Sequence, residues 1–88
     1  MAARLLLNTV IGGGPVNAPY NAPVGQLQSF EVPIGASVST CWYVPVDNLG
    51  DFAGFDHIEV SPSGHAGSLT LTIKPNRAAL LRIYLFGE

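Results

Sequence analysis

The sequence predicts an all-β fold: a small antiparallel β-sandwich or β-barrel of about six strands, jelly-roll-like connections included among the options, with a proline-rich extended arm. Three observations predict it. Ten glycines and seven prolines are scattered through 88 residues, so few proline-free windows are long enough for a helix. Runs of β-branched, aromatic and aliphatic residues recur between clusters of Gly, Pro, Asn and Asp. In the clearest of these runs apolar and polar residues alternate strictly, the period of a half-buried strand.

Residues 4–11 (RLLLNTVI) read as the first strand, with Leu5 and Leu7 on one side and Leu6 and Val10 on the other. Gly12-Gly13-Gly14 ends it. Next comes PVNAPYNAP, in which Pro15, Pro19 and Pro23 recur every fourth residue. Proline fixes φ and pushes the residue before it toward extended conformations, so this segment suits neither a helix nor a central strand. Residues 12–25 therefore form a long, stiff loop or arm, expected to lie across a neighbouring subunit with Tyr20 as its anchor.

Residues 26–32 (QLQSFEV) are the second strand, and a type I turn over 32–35 fits proline at its second position and glycine at its fourth. Residues 37–44 (SVSTCWYV) are the third strand, with Val38, Thr40, Trp42 and Val44 on the expected core face. Residues 45–55 are a loop whose Leu49, Phe52 and Phe55 are expected to pack down onto the domain. Residues 56–60 make a short fourth strand and 61–67 a turn. Residues 68–74 (SLTLTIK) are the fifth strand, with Leu69, Leu71 and Ile73 inward. Within 77–86, a helix over 76–81 competes with strand, but Ile-Tyr-Leu-Phe favours strand at least over 81–86. Short connections imply that strands adjacent in sequence mostly pair antiparallel.

The composition narrows the function. One domain spans residues 1–88, and charged residues make up 11% of it, against ~25% in ordinary domains. A small domain with so few charges has a largely neutral surface, as expected where other subunits cover it. The first and last strands are apolar on both faces, and in a two-layer domain this points to a partner outside the chain. Leu6, Pro15, Pro19, Tyr20, Pro23, Leu80, Tyr84 and Phe86 are the candidate interface residues.

Other chemistries find less support. Four basic residues are too few for a nucleic-acid footprint. No apolar run approaches the ~20 residues of a membrane span, and the three leucines near the start are short for a signal peptide. Synthesis in the cytoplasm, with a virion as a possible destination, is the expectation. Asp47, Asn48, Asp51 and Asp56 have oxygen ligands for Ca²⁺ but not the EF-hand spacing, and beside Gly50 and Gly54 they are better read as turn formers. His57 and His65 belong to no catalytic motif, and Cys41 lacks a neighbouring base in sequence. No cofactor and no enzymatic activity are expected.

The sequence thus points to a structural subunit of a multi-subunit assembly, built through contacts with itself or with other structural proteins. An accessory virion protein, either a capsid cement or decoration protein of a bacteriophage or a tail component, is the specific form expected. A carbohydrate-binding β-sandwich module, using exposed aromatics on a neutral surface to hold a glycan, is the alternative.

Overall fold

Leu69, Leu71 and Ile73 of one strand and Leu81, Ile83 and Leu85 of another are fully buried, and every residue between them is only partly so. That alternation places two strands at the centre of the molecule, each burying one face in a common core. The computed structural model describes residues 3–46 and 52–88. Its strands are β1 (Arg4–Gly13), β2 (Tyr20–Ala22), β3 (Gln28–Pro33), β4 (Cys41–Val46), β5 (Phe55–Pro62), β6 (Ser68–Pro75) and β7 (Ala79–Gly87). A single 3-10 turn, Phe52–Gly54, precedes β5, and no α-helix occurs among the described residues.

The strands form two sheets. One has four strands in the order β2-β1-β7-β4, the other three in the order β3-β6-β5. Ile11, Ala22, Leu81, Ile83 and Leu85 from the first meet Val32, Phe55, Leu69, Leu71 and Ile73 from the second in one buried cluster. The chain is thus all-β, with the last strand inward on Ala79, Leu81, Ile83 and Leu85 as its alternation predicts.

Pairing departs from the expectation that neighbours in sequence pair antiparallel. Only β5 and β6 do so. β1 pairs antiparallel with β7 and parallel with β2, and the chain changes sheet between β2 and β3, β3 and β4, β4 and β5, and β6 and β7. The reason is visible in the turns, whose donors go to distant segments. The Gly35 amide, which a type I turn would direct at Val32, donates instead to the Gly67 carbonyl at 3.1 Å, alongside that of Ile34 at 2.8 Å. After β6, Asn76 donates its amide to Gly54 O at 2.8 Å, and its side chain donates to Ala53 O at 2.9 Å and Asp56 Oδ1 at 2.8 Å. A turn tied to a third segment carries the chain into the other sheet rather than back on itself.

Two face assignments are also corrected. The register of β1 against β7 slips between Leu5 and Leu7. This bulge at Leu6 breaks the alternation, so Leu6 and Leu7 both pack on the core while Leu5 is exposed. In β4, Cys41 and Tyr43 are the core-packed residues, and Trp42 and Val44 point outward. Strand β4 begins later than predicted and runs through Pro45, which an edge strand tolerates. Of the loop aromatics, Phe55 is buried and Phe52 exposed; Leu49 lies outside the described residues.

The proline-rich segment folds back on its own sheet. Tyr20, Asn21 and Ala22 pair with Ile11, Gly12 and Gly13, and Ala22 is fully buried. Gly12 permits this closeness, and Gly13 permits the approach of β6 beside it. A Cβ on Gly12 would stand 2.7 Å from both Asn21 Oδ1 and Val16 Cγ2, and one on Gly13 would run into the Pro75 ring.

Candidate interaction face

The two sheets share a core but differ on their outer faces. On the three-stranded sheet, β6 turns Thr70, Thr72 and Lys74 outward, flanked through the register by Glu31 and Ser29 on β3 and by Ser61, Glu59 and His57 on β5. Ser29 Oγ and Thr72 Oγ1 lie 2.8 Å apart, and His57 Nε2 is 3.0 Å from Glu59 Oε1. These hydroxyls and charges make an ordinary water-facing surface.

The four-stranded sheet presents something else. The outward residues of β7 are Leu80, Arg82, Tyr84 and Phe86, and the register lays their neighbours beside them in rows. Leu5, Phe86 and Trp42 make one row; Asn8, Tyr84 and Val44 the next; Val10, Arg82 and Val46 the third. Leu5 is 54% exposed, Val44 43% and Trp42 38%, so three large apolar side chains on two adjacent rows stand in water. The Trp42 and Phe86 rings stack with centroids 6.2 Å apart and planes inclined by 15°. Arg82 is the cation within these rows; it donates to Asn8 Oδ1 at 2.7 Å, and no carboxylate pairs with it among the described residues. The fourth row holds Leu80 and Gly12, and Gly12 is covered by Val16, Ala18 and Asn21, so the proline-rich segment stands as a wall at that end of the face.

The predicted interface residues fall in three places. Leu80, Tyr84 and Phe86 share the outer face of the four-stranded sheet. Pro15, Pro19 and Pro23 are exposed along the wall, while Tyr20 makes an edge-to-face contact with Phe30 of the same chain, centroids 5.6 Å apart. Leu6 is partly buried against the core. Sequence reasoning missed Leu5, Val10, Trp42, Val44 and Arg82. The usable signal was Pro45, which marks its strand as an edge, yet CWYVPV offers apolar residues on both sides and does not say which is inward.

Asp47 and Asp51 lie outside the described residues, and Asp56 accepts the Asn76 hydrogen bond. Among the described residues no group of three or more His, Cys, Asp or Glu stands together to hold a metal. Burial raises the Cys41 thiol pKa above its ordinary value, the reverse of what activates a nucleophile. His65 Nδ1 lies 2.6 Å from Glu31 Oε1, and Ser63 Oγ accepts the His65 backbone amide rather than a ring hydrogen bond. The cleft beside them, lined by Ser37, Val38, Ser63, His65 and Gly67, holds about 90 Å³, below the ~300 Å³ at which small-molecule pockets begin. No helix among the described residues is long and apolar enough to cross a membrane. Comparison with family models, curated proteins and solved structures finds no match to this chain.

Proposed function

We propose that the domain is a structural subunit of a larger assembly, attached through the outer face of its four-stranded sheet. The observation that carries this reading is the asymmetry between the two outer faces: one polar and charged, the other exposing Leu5, Trp42 and Val44 beside Tyr84 and Phe86. Contiguous exposed apolar surface on a small domain marks a place where something else binds. The strand edges support the same reading by offering little. Pro19 and Pro23 flank β2, β3 ends in Pro33, β4 contains Pro45 and β5 ends in Pro62, so every edge strand carries or adjoins a residue that cannot donate to a further strand. Association is left to the face.

Two sheets closed over one core favour a β-sandwich over a closed barrel, and the proline-rich segment is an arm only in that it walls one end of the face. An accessory virion protein, as a decoration or tail component, is the specific form we carry forward. Its support is the low charge and small size of the chain. A carbohydrate-binding module is the second reading, favoured by the exposed Trp42 stacked on Phe86.

Lysine at Val44 or glutamate at Phe86 separates these readings. In a structural subunit either change abolishes association in light scattering while far-UV circular dichroism keeps its β signature. In a glycan binder the oligomeric state stays as it was and hits on a glycan array vanish with Trp42→Ala. Association unaffected by both face variants would remove the face from the proposal.

A further inference from the structure

Two opposite charges, Arg82 on β7 and Glu88 just beyond it, bracket the outward residues Tyr84 and Phe86. Arg82 sits within the apolar rows. Glu88 follows Gly87, with its amide donating to Thr40 O at 3.1 Å and its carbonyl accepting from Ser39 N at 2.9 Å, so the ladder to the 39–40 segment holds its backbone. Alternation from Phe86 carries Glu88 to the same outer face. Six residues separate the two charges, about 20 Å along a strand, too far for them to pair within one chain.

The midpoint between them is Leu85. A two-fold axis lying in the plane of the face, across β7 at this point, reverses the strand direction and brings residue 82 of one copy over residue 88 of the other. It also sets Tyr84 over Phe86, and Val44 over Trp42 on the flanking strands. The alternative two-fold, along β7, would put Arg82 against Arg82 with no carboxylate paired to either among the described residues, and like charges brought together disfavour that packing. The wall fixes the centre as well. Val16 and Ala18 rise over the Gly12–Leu80 row. Centring on Leu85 leaves that row beyond the end of the opposing sheet, whereas centring on Ile83 would drive Phe86 of the other copy into it.

We propose that a second copy of this chain docks on the outer face of the four-stranded sheet, β7 against β7 in antiparallel register about Leu85, with Arg82 of each copy meeting Glu88 of the other. The proposal rests on reading that face as an assembly contact. Three strands ~4.8 Å apart and about seven residues long give a footprint of roughly 300 Å² per copy, below the ~800 Å² of stable complexes. The dimer is therefore weak and concentration-dependent.

The test is sedimentation equilibrium on the full chain, from micromolar to millimolar, for the wild type, Arg82→Glu, Glu88→Arg and the double swap, with circular dichroism as the check on folding. Each single change is expected to raise the dimer Kd about tenfold, and the double swap to return it to within about threefold of wild type. A double swap no better than the singles overturns the register. A wild type monomeric at millimolar concentration overturns the second copy as occupant. If the wild type dimerises and Val44→Lys abolishes it while the charge swaps change nothing, this register fails and the assembly face stands; if Val44→Lys changes nothing either, both fail.

Discussion

Gly13 decides how closely the two sheets approach at one end of the core. It is buried in β1, and a Cβ there would overlap the Pro75 ring, the buried last residue of β6. Gly13→Ala is expected to lower unfolding stability by about 1–3 kcal/mol, the range for overpacking a tight site. Gly64→Ala is the matched control, since a Cβ there meets nothing within 4 Å, and it should stay within about 0.5 kcal/mol of wild type. Urea denaturation of the two variants checks this, and equal midpoints would mean that β6 can withdraw from β1. Neighbouring Asn21 is the other residue on which this corner depends. Its Nδ2 donates to Gly14 O at 3.0 Å, while its Oδ1 is buried without a hydrogen-bond partner among the described residues. A buried acceptor left unpaired costs stability, and the close pairing of β2 with β1 is what holds it there.

Strand identity was largely legible in the sequence, and strand pairing was not. Leu69, Leu71 and Ile73 alternate with hydroxyl residues, and their burial follows from period two alone. Pairing depends on where turn donors go, and the partners of Gly35 and Asn76 are thirty-two and twenty-two residues away in Gly67 and Gly54, outside any local pattern. The same limit hid half of the candidate face. Leu80, Tyr84 and Phe86 were readable from the apolar outer side of β7, whereas Trp42 and Val44 join them only because β4 pairs with β7. The bulge at Leu6 reversed one parity and left no mark in a run of three leucines. At this scale the edges also make a prediction. Pro45→Thr restores a backbone donor on edge strand β4, so the variant should keep its β circular dichroism but scatter more light on prolonged incubation, as an unguarded edge recruits further strands. Unchanged scattering would assign edge protection to β5, which lies close to β4.

The whole molecule is organised around β6 and β7, each paired on both sides and each burying every second residue in the core. Hydrogen exchange should therefore rank the amides of Leu71, Ile73, Leu81 and Ile83 as the slowest, opening only with global unfolding, and those of β2 and β3 as faster. Rapid exchange in β7 would mean that its sheet opens as a separate unit. This rigid centre also bears on the outer face. Arg82, Tyr84 and Phe86 are the alternate residues of the most firmly held strand, so the side chains offered to a partner are set in fixed rows before contact, and binding orders little backbone.

The pairing of β7 between β1 and β4 has a consequence for biosynthesis. Both neighbours leave the ribosome before the strand that joins them, and β1 waits through nearly the whole chain for its antiparallel partner. The four-stranded sheet is completed only after β7 emerges, and its closure brings together residues far apart in the chain, which slows folding. During that interval the leucines of β1 and the aromatics of β4 have no sheet to join, so a nascent chain stalled before residue 79 is a client for chaperones rather than a smaller version of the domain.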